Sequence, residues 1–123
     1  MATLRALVLL ALPLVCGSLG EAEGRAQTTE GARLYTQRCG GCHSLDADRV
    51  GPRHRGVVGR RAGSIEGFLY SPALRGAGFV WTRERLDRWL QNPRRMVAGT
   101  TMGFSVASAA ERRAIIDYLE SQD

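Results

Sequence analysis

The segment Cys39-Gly40-Gly41-Cys42-His43 constrains this chain more than any other part of its sequence. Its C-x-x-C-H spacing is that of a haem attachment site. In such a site two thiols bond the two vinyl groups of the porphyrin, and the adjacent histidine is an axial ligand of the iron. A chain with this site must fold around a large flat cofactor. The C-x-x-C spacing also occurs in thiol redox centres and in halves of zinc sites, and the motif alone leaves these alternatives open.

Residues 1–20 have the composition of an export signal. Arg5 supplies one positive charge, and residues 6–20 contain no charged side chain and are mostly apolar. This run is short for a membrane span and has the length of a signal peptide. Small residues predict cleavage after Gly20 or, alternatively, after Ala26, and an uncleaved anchor is the competing interpretation. We therefore expect export to a bacterial periplasm, with a signal peptide at 1–20, a flexible leader at 21–29 and one domain at 30–123.

The cysteines are consistent with a covalent cofactor. Cys16 lies within the predicted signal and would be removed with it, which leaves Cys39 and Cys42 as neighbours. In an oxidising compartment two such thiols would tend to form a disulfide unless another reaction consumes both. Two thioether bonds to haem would do so.

The charge pattern bears on the choice of partner. All 17 basic residues are arginines, against 12 acidic residues, and the two kinds are interspersed. No nucleic-acid-binding motif is present, so we expect no nucleic-acid partner. The sequence predicts either a mixed solvated surface or a face that binds an acidic protein.

Helix signals predict an all-α domain of about four short helices with long loops. A hydroxyl side chain that can cap the first turn precedes each predicted helix. The predicted helices run from Thr28 or Thr29 to about Arg38, over a short stretch after Ser71-Pro72, from Thr82 to about Gln91, and onward from Ser108. In the last of them Ser108 and Glu111 have the spacing of a capping box.

The loops between these helices are long and irregular. Residues 44–80 are interrupted by many glycines, and Asn92-Pro93 is expected to end the third helix before a second loop at 94–107. Structureless stretches of this length are unusual inside a compact domain. A buried cofactor accounts for them, because a loop can pack against a porphyrin instead of against other chain.

A second axial ligand is expected to be a methionine, since histidine–methionine ligation raises the reduction potential of an electron-transfer haem. Met96 follows two arginines directly after a helix end and is expected to be partly exposed. Met102 lies between Gly99 and Gly103, where glycines let the backbone approach a flat ligand. Met102 is the better candidate.

From about Gly31 to Leu119 the sequence resembles the class I c-type cytochromes, close to the soluble mitochondrial and bacterial members. The resemblance implies the cytochrome c fold, with long loops wrapped around one haem c bound through two thioethers. It also implies that His43 and Met102 are the axial ligands and that Cys39 and Cys42 bond the haem. The resembling segments follow the family order: Cys39-x-x-Cys42-His43, Val50-Gly51-Pro52, Gly59-Arg60, Gly67-Phe68-x-Tyr70-Ser71-Pro72-Ala73-Leu74, Val80-Trp81-Thr82, Leu90-x-Asn92-Pro93 and Gly99-Thr100-x-Met102-x-Phe104.

Further roles follow from the same resemblance. Pro52 matches the proline whose carbonyl oxygen accepts a hydrogen bond from the ligand histidine, which fixes the orientation of the ring. Arg60, Tyr70, Trp81 and Thr100 match positions that hydrogen-bond around the haem propionates, and buried carboxylates need such donors.

The terminal helices are expected to cross. Gly31 would permit the close approach, with Leu34 and Tyr35 meeting Tyr118 and Leu119. This contact is structural.

The chain also departs from the family pattern. Ala98 stands in place of a loop proline, which predicts a looser ligand loop. Trp89 occupies the place of a tyrosine near the methionine sulfur, and Leu74 replaces a frequently polar residue near the haem. The family's docking ring of lysines is absent, and arginines are expected to serve instead, among them Arg38, Arg53, Arg94 and Arg95.

The resemblance implies an electron carrier and not an enzyme, with the iron alternating between Fe(II) and Fe(III). The expected partners are redox proteins of the periplasm or membrane that dock at the exposed haem edge through an acidic surface. We expect a monomer with no stable membrane insertion after cleavage. The alternative is a dedicated subunit or bound partner of one periplasmic dehydrogenase. A peroxidase would need an open iron position and distal acid–base groups, and His54 is expected to be a surface residue.

Overall fold

The computed structural model describes residues 19–123, where the secondary structure is helical apart from one isolated antiparallel bridge between Arg61 and Val80. The predicted all-α class is therefore confirmed. The predicted export signal lies almost wholly outside the described residues. The five helices are α1 (Leu19–Arg38), α2 (Pro72–Arg75), α3 (Arg83–Gln91), α4 (Pro93–Met96) and α5 (Ala109–Glu120).

Helix α1 begins earlier than its capping signals predict. The hydroxyl group of Thr28 donates to the carbonyl oxygen of Arg25 at 2.9 Å, and that of Thr29 donates to the same oxygen at 2.9 Å. Both threonines therefore hydrogen-bond within the helix and do not cap it. The preceding residues are mostly Ala, Glu, Gln and Arg, and extending a helix that is already docked needs no new nucleation. The segment 21–29, expected as a flexible leader, is helical.

Helix α1 crosses α5 at Gly31, as the sequence predicts. A Cβ atom built on Gly31 would lie 2.3 Å from the carbonyl oxygen of Ala114 and 2.7 Å from Cβ of Tyr118. The helices approach so closely that only hydrogen fits at this position. Beside the crossing, the ring centroids of Tyr35 and Tyr118 are 5.5 Å apart, and Leu119 is buried in the same core.

Three of the predicted helix caps are present. The hydroxyl oxygens of Ser71, Thr82 and Ser108 accept hydrogen bonds from the backbone amides of Leu74, Arg85 and Glu111. The carboxylate of Glu111 accepts two hydrogen bonds from Arg38 on α1. Glu111 thus joins the terminal helices through this ion pair.

Asn92 ends one helix and starts another. Its backbone amide closes α3, while its side-chain oxygen accepts from the amide of Arg95 at 3.1 Å and caps α4. The expected loop at 94–107 therefore begins inside a helical turn. Asn92-Pro93 has the same cap-then-proline pattern as Ser71-Pro72, because proline fits the first turn of a helix, where its missing N–H is not needed.

The second half of the core joins α3, α5 and the loop between α4 and α5. Trp81 and Trp89 pack edge to face with ring centroids 5.2 Å apart. The amide of Val106 donates to the carbonyl oxygen of Leu90 at 2.7 Å. Arg112, which is 8% exposed, donates to the carboxylate of Asp87 and to the backbone carbonyls of the same loop. This buried guanidinium fixes the loop against the two helices.

No helix within 19–123 is both long and apolar enough to cross a membrane.

Candidate functional site

The C-x-x-C-H segment continues the hydrogen-bonding pattern of α1 for one more turn. The amide of Cys39 donates to the carbonyl oxygen of Tyr35 at 2.8 Å, and the amide of His43 donates to that of Cys39 at 2.9 Å. These are helix-type bonds between residues four apart, which place Cys39 and His43 on the same side of the turn. Two sulfur atoms and one imidazole therefore emerge from a rigid turn at the end of a helix.

The imidazole of His43 is oriented by the segment that follows the turn. Its Nδ1 atom lies 2.8 Å from the carbonyl oxygen of Pro52, the contact that the sequence analysis predicts. The backbone of Gly51 lies against the same ring, since a Cβ atom built there would fall 2.1 Å from Cε1 of His43. Burial lowers the pKa of His43, and the Pro52 bond acts in the opposite direction. A neutral ring that donates from Nδ1 keeps its lone pair on Nε2, where a metal can bind.

His54 lies against His43 and is not the surface residue that the sequence analysis expects. The two rings stack with centroids 4.0 Å apart and planes 22° apart. His54 Nδ1 also shares a hydrogen bond of 3.2 Å with the hydroxyl group of Tyr35. Burial lowers the pKa of His54 well below its usual value, and the charges of His43 and Arg60 lower it further. The side chain is partly buried because its loop folds back over the end of α1.

Cys39 and Cys42 differ in environment. Cys42 is exposed, whereas Cys39 is partly buried against the core. Burial, together with the neighbouring Cys42, raises the pKa of Cys39 to about 11. A thiol of this kind stays protonated at neutral pH, the opposite of the low-pKa thiolate that a thiol oxidoreductase uses as its nucleophile.

The structure brings together two of the four residues predicted around the haem propionates. The amide of Trp81 donates to the carbonyl oxygen of Arg60 at 2.8 Å, so the two residues are backbone neighbours. Arg60 donates to the carbonyl oxygens of Arg53 and Arg55. Burial lowers the pKa of Arg60, and the nearby Tyr70 acts in the opposite direction.

The other two predicted propionate contacts lie in different loops. The hydroxyl oxygen of Tyr70 accepts a hydrogen bond from the amide of Ile65 at 3.2 Å. Thr100 is buried, and its amide donates to the carbonyl oxygen of Val97 at 3.2 Å. A hydroxyl oxygen that accepts one bond can still donate its own proton to a carboxylate.

Met102 lies in a loop that a glycine bends towards α2. Gly99 has φ of +92°, a left-handed conformation that glycine adopts without strain, and a Cβ atom built on it would lie 3.2 Å from Cβ of Ala73. Met102 is partly buried against the core, while Phe104, two residues on, is 49% exposed. The guanidinium group of Arg94 lies over Gly103, where a Cβ atom would approach it to 2.9 Å.

Met96, like Met102, is partly buried against the core. It ends α4 and lines an open groove together with Arg88, Gln91, Asn92 and Arg95. Burial therefore does not distinguish the two methionines, and Met102 differs in its position in the loop bent at Gly99.

Two residues of the site are not found by sequence reasoning. Arg49 donates to the carbonyl oxygen of Gly40 at 2.7 Å and to that of His43 at 3.4 Å, and so ties the next loop to the motif. His54 stacks on the imidazole of His43. Neither Arg49 nor His54 belongs to a motif. The only sequence signal for His54 is that it lies two positions after Pro52.

The donor set fits a covalent haem. It comprises two thiols on one turn, an imidazole with Nε2 available and a sulfur ligand candidate in a second loop, within an all-α domain whose long loops can cover a flat group. These features define the class of single-haem c-type electron-transfer domains.

Comparison with known proteins agrees with this class. The family model described as cytochrome c matches residues 28–123. Cytochrome c type-1 of Ascaris suum is 41% identical over 95 residues, which cover 75% of this chain and 85% of that protein. Cytochrome c of Stellaria longipes is 35% identical over 106 residues, covering 83% and 96%. The structure of cytochrome cH from Methylobacterium extorquens matches with a TM-score of 0.72 at 32% identity, covering 76% of this chain and 97% of that chain.

The chain belongs to the cytochrome c family. Its cofactor is haem c, and the C-x-x-C-H arrangement of Cys39 and Cys42 is consistent with its covalent attachment. Like other members of the family, it is a mono-haem electron carrier that interacts with redox partners.

Proposed function

We propose that His43 and Met102 are the axial ligands of the haem and that the protein shuttles single electrons between redox proteins of the bacterial periplasm. The cofactor supplies the chemistry, a reversible one-electron change between Fe(II) and Fe(III). The observation that carries the proposal is the hydrogen bond between His43 Nδ1 and the carbonyl oxygen of Pro52. With Nδ1 as the donor in this bond, the lone pair stays on Nε2, the tautomer that can bind a metal.

The loop of Met102 supports the second ligand. A thioether is a weak donor that needs a preformed position, and the bend at Gly99 and the pairing of Val106 with Leu90 hold both ends of this loop. Ala98 in place of proline leaves one more backbone torsion free in the unfolded chain. The hydrogen bond from the amide of Val106 to the carbonyl oxygen of Leu90 anchors the loop to α3 and so compensates in part for the missing proline.

Arg60, Tyr70, Trp81 and Thr100 are proposed to bind the propionates. Arg60 is the only cation of the four, and its half-buried guanidinium would stabilise a carboxylate that is removed from water. The indole N–H and the two hydroxyl groups would donate further hydrogen bonds.

The docking face is proposed to centre on Arg94 and Phe104. Among the side chains that the structure describes, Arg38 and Arg53 form ion pairs with Glu111 and Asp48, whereas Arg94 forms none. An unpaired guanidinium beside an exposed phenyl ring gives a small apolar contact with a basic rim, which fits an acidic partner surface. Arg95, the next residue of α4, adds a second unpaired charge.

Absorption spectra of the purified protein and two variants test the ligand assignment. Oxidised wild-type protein should show a weak sulfur-to-iron band, which Met102→Ala should abolish and Met96→Ala should retain. Because both variants replace a methionine with alanine, they differ only in the position of the sulfur that is removed. Loss of the band in Met96→Ala, with retention in Met102→Ala, would show that the assignment is wrong.

Association kinetics test the docking face. Arg94→Glu should slow electron transfer to an acidic redox partner at low salt by about tenfold or more, with the difference shrinking as salt rises. Arg113→Glu makes the same charge change on α5 and is the control. Equal slowing by both variants would show that the net charge of the protein, and not this face, causes the slower electron transfer.

The proposed location and domain bounds have a separate test. Residues 1–20 are proposed to direct export, and residues 30–123 are proposed to form the cytochrome domain. The exported protein is proposed to be a monomer. N-terminal sequencing of protein from the periplasmic fraction should begin at Glu21 or Gln27. Recovery of the intact N-terminus in the membrane fraction would favour an uncleaved anchor.

A further inference from the structure

His54 occupies a specific position behind His43. Its ring lies nearly parallel to that of His43, with centroids 4.0 Å apart, while its Nδ1 atom shares a hydrogen bond with the hydroxyl group of Tyr35. Tyr35 is a residue of α1, and its carbonyl oxygen accepts the amides of Cys39 and Gly40. Tyr35 therefore bonds the attachment turn through its backbone carbonyl and the stacked histidine through its hydroxyl group.

Pro52, Gly51 and the stacked ring of His54 restrain different motions of the His43 imidazole. The bond from Nδ1 to Pro52 restrains one atom of the ring, and the backbone of Gly51 limits movement near Cε1. A flat ring stacked on His43 restrains rotation about the Cβ–Cγ bond, because turning the imidazole would push its edge into the neighbouring ring. The hydrogen bond to Tyr35 in turn prevents the stacked ring itself from turning.

A role in packing alone would not need a histidine. An aliphatic side chain would fill the same partly buried space without a polar atom to satisfy, and polar atoms removed from water carry a penalty unless they are paired. Here Nδ1 of His54 is paired with the hydroxyl group of Tyr35, which is 6% exposed. The pair fixes the angle of a ring that would otherwise be free.

We propose that His54 is a positioning residue for His43: its stacked ring, anchored by Tyr35, sets the plane of the His43 imidazole. The inference rests on the proposed ligation by His43. The orientation of an axial imidazole governs how unpaired spin spreads over the porphyrin in low-spin Fe(III). The four haem methyl groups report that distribution as separate, strongly shifted proton resonances.

Proton NMR of the oxidised holoprotein tests the proposal. His54→Ala, which removes both the stacked ring and the hydrogen bond, should change the spacing of the four haem methyl resonances. Tyr35→Phe, which removes only the hydrogen bond, should change it in the same direction and by less. His54→Phe, which retains a flat ring, should lie nearer to wild type than His54→Ala. Arg55→Ala, an exposed neighbour paired with Asp46, is the control and should retain the wild-type spacing.

Unchanged methyl spacing in His54→Ala would overturn the proposal, whatever the thermal stability of that variant. If His54→Ala does not mature with haem, His54→Phe and Tyr35→Phe decide the matter, and wild-type spacing in both would overturn it. A purely structural role would lower the melting temperature without moving the methyl resonances.

Isotopic labelling separates this inference from the ligand assignment. The chain contains two histidines, so ¹⁵N-histidine labels only His43 and His54. A strongly shifted imidazole that persists in His54→Ala belongs to His43 and establishes ligation, independently of the methyl spacing. Absence of any such resonance in wild type would instead refute the proposed ligation.

Discussion

Gly51 lies against the imidazole of His43 so closely that a Cβ atom there would fall 2.1 Å from Cε1 and 2.6 Å from Nδ1. Gly51→Ala must therefore displace the histidine or the loop. We expect the free energy of unfolding of the holoprotein to fall by about 1–3 kcal/mol, as for other insertions into packed sites. Denaturant unfolding followed by circular dichroism measures the change.

The matched control is a glycine of the attachment segment Cys39-Gly40-Gly41-Cys42-His43. A Cβ atom built on Gly41 meets nothing within 4 Å. Gly41→Ala should change the stability by no more than about 0.5 kcal/mol. Equal destabilisation by the two variants would mean that the contact with His43 is not the cause.

The crossing of α1 and α5 should tolerate no side chain at Gly31. Gly31→Ala places a methyl group 2.3 Å from the carbonyl oxygen of Ala114. The helices would have to separate, and the melting temperature should fall clearly. Gly24→Ala, the same change in the same helix with nothing within 4 Å, should be neutral or stabilising because alanine favours helix. A neutral Gly31→Ala would contradict the packing described here.

The cap of α5 should matter more than the ion pair beside it. Ser108→Ala leaves the amide of Glu111 without its side-chain acceptor and should lower the free energy of unfolding by about 1 kcal/mol. Glu111→Gln weakens the pair with Arg38, whose side chain is 45% exposed, and should lower it by less, since solvent screens such pairs. Chemical denaturation of both variants compares the two effects, and a larger loss in Glu111→Gln would reverse the ranking.

The contact between Asp87 and Arg112 predicts part of the acid sensitivity. The hydrogen-bonded Arg112 guanidinium lowers the pKa of Asp87 from 3.8. The folded state then binds its proton less readily than the unfolded state, so this contribution is complete above about pH 3.8 and is lost as the pH falls through the lower folded pKa.

Asp87→Asn should therefore reduce stability at pH 7 and make the acid branch of the stability curve less steep. The loss should be about 1 kcal/mol, because the Asp87 side chain is 40% exposed. Melting temperatures from pH 2 to pH 7 measure it. Glu66→Gln, at an exposed position that pairs with no basic side chain among those described, is the control. An unchanged acid branch in Asp87→Asn would contradict the assigned contact.

Local chemistry predicts much of the fold. The hydroxyl caps at Ser71, Thr82 and Ser108 identify the starts of three helices, because a cap acts within one turn of the chain. The extent of α1 is less well predicted, since Thr28 and Thr29 have the composition of caps but hydrogen-bond inside a helix that tertiary packing has already nucleated. The short helix α4 is missed because the signal of Asn92-Pro93 fits both a helix end and a helix start.

The sequence by itself determined the family, because seven segments from Cys39 to Phe104 follow the family order. It also determined the attachment residues, because the spacing from Cys39 to His43 is a covalent requirement that does not depend on how the rest of the chain is arranged. Only the tertiary structure decided what surrounds His43. The stacking of His54 and the close approach of Gly51 depend on how an irregular loop returns to the end of α1. Such a path has no periodicity to read, and its contacts join residues through space and not through neighbouring positions in the chain.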